Sequence, residues 1–137
     1  MKKIILFNMI LLFFLTNSCS QEKKIEVLSV NKSEMIYQEI DESIIIACNN
    51  WKLSKEDVKT FFDYSHKITS YERNNHYYTL PCEITGTLRR NDTIFTYKIN
   101  AGSTAMLIYE EKIFFYGCSN TKCNDIVLMP PDNMDAE

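Results

Sequence analysis

The chain has 137 residues, of which 24% are charged and 12% aromatic, with two histidines and a formal net charge of −3. One domain accommodates that length, and its core is large enough to form without a metal or a disulfide. No basic run or patch interrupts the acidic balance, which argues against nucleic acid as a partner.

Lys2 and Lys3 precede an apolar run from Ile4 to Leu15 that only Asn8 breaks. As a helix this run would rise about 18 Å, against roughly 30 Å for the hydrocarbon core of a bilayer. It is too short to span and fits the apolar region of a secretory signal. Leu15-Thr16-Asn17-Ser18-Cys19 closes it. That pentapeptide resembles the lipobox of bacterial lipoproteins, with Asn17 as a departure from the commonest pattern. The resemblance implies cleavage before Cys19, a diacylglyceryl group on its sulfur and often an N-acyl chain. Two or more acyl chains hold a protein on a membrane where one does so only marginally. By the same family's sorting rule, Ser20 implies the outer membrane of the cell envelope. Residues 1–18 are then a signal peptide, 19–24 a lipidated N-terminus and spacer, 25–129 a single α+β domain, and 130–137 a flexible acidic tail. Without Lys2 and Lys3 the mature chain keeps 13 basic and 18 acidic side chains, a net charge of −5, so lipid and not charge would do the holding.

Setting Cys19 aside leaves Cys48, Cys82, Cys118 and Cys123. An even number in an exported chain is read as disulfides, with three possible connectivities. Cys118–Cys123 with Cys48–Cys82 is the favoured one. The chain-entropy model gives the short loop about 2 kcal/mol and the long one about 4. The rival is a Cys/His zinc site using His66 or His76. It lacks the Cys-x2-Cys spacing such sites use, and no metal or other cofactor is assigned.

Along the domain, Lys24 to Val30 reads as a strand, and Met35 to Ile40 as a short strand or helical turn. Ile44 to Cys48 is a continuous apolar run, short enough for a strand buried on both faces. Ser54 with Asp57 makes a capping-box signal, and Leu53 with Val58 a hydrophobic staple. The helix they start carries Val58, Phe61, Phe62, Ser65 and Ile68 on one stripe. Residues 70–75 read as a polar loop. From His76 the pattern alternates, giving a long strand through Leu88 with Pro81 as an edge or bulge signal. Arg90-Asn91-Asp92 turns the chain into a strand over Thr93–Asn100. Two more follow, Thr104–Tyr109 and Ile113–Cys118. The expected fold is therefore α+β: one amphipathic helix packed on an antiparallel meander of about four to five strands, with two disulfides.

No residue set carries a recognisable reaction. His66 falls near a helix end and His76 beside a polar loop, without a nucleophile and an orienting acid. Glu56-Asp57 complements a helix N-terminus. Glu110-Glu111, Arg89-Arg90 and the small residues Asn100 to Ser103 read as ordinary turns. Asp92-Thr93-Ile94 resembles the Asp-Thr-aliphatic acceptor of some bacterial periplasmic O-glycosylation, which would modify Thr93. Aromatic residues crowd the sheet region. Because strand side chains alternate, Tyr77 and Tyr78 cannot share a core, nor can Phe114 and Phe115. The second face is then either covered by the N-terminal segment or a contact patch, with Tyr77 and Tyr116 as candidate binding residues. The reading that results is a membrane-anchored envelope lipoprotein binding a protein partner, as an immunity-like inhibitor or an accessory subunit. The alternatives are a small envelope hydrolase and a structural envelope protein.

Overall fold

The computed structural model describes residues 24–132. Residues 1–23, Cys19 and the expected signal peptide among them, and the last five residues lie outside the described residues. Two strands open the fold, β1 (Ile25–Val30) and the short β2 (Glu34–Met35). Two helices follow, α1 (Glu42–Asn50) and α2 (Lys55–Tyr64). A two-residue strand, β3 (His66–Lys67), then leads into α3 (Ser70–His76). The chain continues as a four-strand meander: β4 (Cys82–Arg90), β5 (Thr93–Asn100), β6 (Thr104–Tyr109) and β7 (Lys112–Gly117). A single 3-10 turn, Thr121–Cys123, follows the sheet.

The class is α+β with the expected meander, but among the described residues three helices and seven strands replace one helix and four to five strands. The sheet is antiparallel, in the order β1-β4-β5-β6-β7-β3, with β2 also on β4. Two differences have clear local causes. The Ile44–Cys48 run is helical because Asp41 caps it, accepting from the Ser43 amide at 2.9 Å and the Ser43 hydroxyl at 2.6 Å. Those bonds hold the Asp41 carboxyl below its usual range. No edge of β4 is left for that run, since β1 and β2 occupy one side and β5 the other. Residues 70–75 are helical because Thr69 and Glu72 form a reciprocal capping box, at 3.1 and 3.2 Å. The expected capping box of Ser54 and Asp57 is present, and the helix it starts ends at Tyr64, before Ser65 and Ile68.

The alternation along β4 puts Cys82, Ile84, Gly86 and Leu88 inward. The strand starts at Cys82, later than the alternation from His76 implied, so Pro81 lies just before it and is buried. Tyr97, Ile99, Ala105 and Leu107 complete the inner face of the sheet. Val58, Phe61 and Phe62 of α2 pack into it, with Phe62 edge-on to both Tyr97 and Tyr116. Tyr97 lies across from Gly86, where a Cβ would come within 2.4 Å of the Tyr97 oxygen and 2.1 Å of the Ser29 carbonyl. Only glycine leaves room for that ring. The Tyr97 hydroxyl donates to Ser29 O at 2.8 Å, beside the register irregularity of β1. Burial pushes this phenol up to about 12.

Both expected disulfides form, Cys48–Cys82 and Cys118–Cys123. The first ties α1 to the start of β4. The second closes the loop that carries the chain from β7 to its last buried residues, Ile126 and Val127. Trp51, buried, donates its indole N–H to the Ile126 carbonyl at 2.8 Å.

Candidate functional site

The strand register gives the sheet two distinct ends. Ile25 pairs with Arg90, so the described chain enters beside the β4–β5 hairpin. Met35 pairs with Cys82, at the opposite end of the same strand. The eight residues of β5 separate the two ends by about 25 Å at roughly 3.4 Å per residue. The hairpins Asn91-Asp92 and Glu110-Glu111 both lie at the entry end, and the Ala101–Ser103 turn lies at the far end.

At the entry end, the inner face carries a cleft of about 340 Å³ that no helix fills. Phe95, Leu107, Phe114 and Tyr116 line it together with Thr93, Lys67 and Arg90. The Lys67 ammonium stands 4.6 Å from the Phe114 ring centre. The Arg90 guanidinium lies 5.8 Å from the Tyr116 ring and donates to its hydroxyl at 2.9 Å. No acidic side chain lines the cleft. Among the described residues, neither cation has a carboxylate partner, whereas Arg89, Lys59 and Lys98 each do. Two unneutralised cations over aromatic rings suit an anion attached to an apolar body. Behind them, on the outer face of the same end, Ile94 and Ile113 are 51% and 52% exposed.

The far end is different. Met35, Ile36 and Tyr37 are exposed, Ile40 is 92% exposed and Ile46 on α1 is 59% exposed. The Ile36 amide bonds the Pro81 carbonyl at 2.7 Å, and the Tyr37 hydroxyl donates to Thr79 O at 3.2 Å. These contacts fix the strip against the segment leading into β4. Tyr78, also exposed, donates from its hydroxyl to Asp132, which raises that phenol above its ordinary value. Beneath the strip sits a buried polar clip. The Asn100 side chain accepts from the amides of Leu80 at 3.0 Å and Gly102 at 2.9 Å, and donates to Leu80 O at 2.8 Å. Ser103, at φ 75, donates to the Cys118 carbonyl at 2.5 Å. The small residues Asn100 to Ser103 thus approach backbone of the same chain, and Gly102 is needed because a Cβ there would lie 1.9 Å from the Tyr78 carbonyl.

The two candidate binding tyrosines are not brought together. Tyr116 faces the entry-end cleft. Tyr77 packs on Gly117 of β7, whose neighbours Phe115 and Ile113 face the other side of the sheet. Burial raises the Tyr77 phenol. The second face is covered in part, by Arg73 of α3 at 4.9 Å over Phe115 and by Ile36, and not by β1. Thr93 stands inside the cleft and is only partly exposed. His66 pairs with Gly117 in the sheet, and His76 ends α3 with its ring 6.1 Å from Tyr71. Among the described residues neither imidazole has a carboxylate partner, and no three His, Cys, Asp or Glu side chains gather as a metal site. Nor is any helix there long and apolar enough to cross a membrane.

Reading Arg90 as a plain hairpin end missed its direction. It has the same parity as Leu88 and Ile84, so the strand period points it inward. Lys67 had no comparable signal, because β3 is only two residues long. No known family model, curated protein or solved structure matches the chain.

Proposed function

We propose that the chain is a lipid-tethered module of the bacterial cell envelope, anchored through Cys19, that holds a protein partner on the far end of its sheet. The observation that carries the binding half is the strip of Met35, Ile36, Tyr37, Ile40 and Ile46. Exposed apolar side chains are unremarkable singly, but four within residues 35–40, three of them tied to the segment leading into β4, with Ile46 exposed on α1, support a contact surface. Met35 pairs with Cys82, Ile36 bonds Pro81 and Tyr37 bonds Thr79, next to the Cys48–Cys82 bridge and the Asn100–Leu80 bonds, so this part of the strip is placed before any partner arrives. Such preorganisation lowers the ordering cost of association. The anchoring half rests on the lipobox-like sequence before Cys19 and on an entry point at the opposite end, which leaves the strip facing away from the membrane.

The test has two readouts on protein taken from envelopes. Mass spectrometry of the mature N-terminus should find an acylated Cys19. An unmodified Cys19, or cleavage elsewhere, contradicts the anchor. Ile40→Asp should abolish crosslinked recovery of the partner while leaving the protein in the membrane fraction. Undiminished recovery contradicts the surface.

A further inference from the structure

We infer that the entry-end cleft is a headgroup site, in which Lys67 and Arg90 take the phosphate of a zwitterionic phospholipid from the membrane that holds the tether. The inference rests on the anchoring read at Cys19. Geometry supplies the first argument. Four residues separate Cys19 from Lys24, and the five Cα-to-Cα steps between them reach at most about 18 Å when extended. Lys24 leads directly into Ile25, the partner of Arg90. The chain length therefore limits Cys19 to about 18 Å from Lys24, at the end of the sheet that carries the cleft.

Charge supplies the second argument. The domain is acidic overall, yet its two inward cations at this end have no carboxylate partner among the described residues. Arg90 is oriented by its bond to the Tyr116 hydroxyl at 2.9 Å, and Lys67 by the Phe114 ring. A phosphate received there would be met by charge-assisted donors over an aromatic floor, with the rings of Phe95 and Phe114 beside the glycerol and upper acyl carbons. The neighbouring hairpin tip adds Glu110 and Glu111, both exposed. A surface offering cations and carboxylates together complements a headgroup that carries both signs. Exposed Ile94 and Ile113 face the same layer from the other side of the sheet.

The test places the acylated mature protein in nanodiscs of phosphatidylethanolamine, a fraction of it carrying a nitroxide on the headgroup, and reads amide line broadening. Broadening should concentrate at Lys67, Arg90, Phe114 and Tyr116, and be about tenfold weaker at Tyr37 and Ile40, given the steep distance dependence over the length of the sheet. Uniform broadening, or broadening centred on the far end, overturns the site. Lys67→Gln with Arg90→Gln should remove most of the concentration at Phe114 and Tyr116 while the protein stays in the disc. Unchanged broadening overturns the site. If the double variant fails to fold, Lys67→Gln alone, at an exposed position, gives the same reading. Inorganic phosphate added to label-free discs should leave these resonances in place; if it shifts them as strongly as the lipid does, the ligand is a free anion and the lipid assignment falls. A protein without acylated Cys19 never enters the disc, which separates failure of the anchor from failure of the cleft.

Discussion

The two ends of the sheet are built in opposite ways. At the entry end, polar and charged groups sit on an aromatic floor with little covalent or buried polar reinforcement. At the far end, exposed aliphatic side chains sit on a frame held by a disulfide, a buried Asn100 with three bonds and a buried Ser103. The contrast teaches where rigidity is needed. A cation on a long side chain can adjust to its ligand. A strip of isoleucine and tyrosine gains from contact only if its backbone is already placed.

The largest expected effect comes from taking away the frame. Replacing Cys48 and Cys82 by serine should cost about 4 kcal/mol in the chain-entropy model for a 34-residue separation, against about 2 for Cys118 and Cys123 at a separation of 5. Chemical denaturation of the two double variants checks the ratio, and equal losses would break the account of the far end. Gly86→Val should cost roughly 3 kcal/mol, because the new side chain meets the Tyr97 ring and the Ser29 carbonyl. Asn100→Ala should cost on the order of 2–3 kcal/mol, since the Leu80 and Gly102 backbone groups lose buried partners.

Alkaline pH offers a gentler probe of the same core. Tyr97 stays protonated in the fold up to about pH 12, while the unfolded chain ionises it near 10. The unfolded state therefore binds fewer protons between those values, and stability falls as pH rises through that window. The loss should approach roughly 2–3 kcal/mol by pH 12 and be removed in Tyr97→Phe once its own constant cost is subtracted. Denaturation midpoints from pH 8 upward measure it. The smallest expected changes in stability are at the two proposed surfaces. Ile40→Asp and Lys67→Gln should each shift stability by less than about 0.5 kcal/mol, because both side chains are exposed. A larger loss at either position would mean that it belongs to the frame and not to a surface.

Much of the meander was legible. Alternation, the Asn91-Asp92 turn with both residues at positive φ, and the Ser54–Asp57 capping box are local signals, and each decided its own segment. With Cys19 set apart the sequence left three connectivities, of which the favoured one, with Cys48–Cys82, is the one that forms. The Ile44–Cys48 helix was not legible from the run itself, because five apolar residues suit a buried strand as well as a helix. Asp41 just before it held the answer. Thr69 and Glu72 carried the same signal for α3. The surfaces were harder. Exposure of Ile40 and Ile46 depends on what the rest of the chain leaves uncovered, and hydrophobic residues in sequence read first as core. The cleft needed β3 beside β7, a pairing of two residues that no local pattern announces.

The central claim is that the ends face different partners, the entry end lipid and the far end protein. Photoreactive residues placed singly at Ile113 and Ile40 in the intact envelope test it most directly. Position 113 should give phospholipid adducts and position 40 one protein adduct. Protein adducts from 113, lipid adducts from 40, or the same products from both would contradict it.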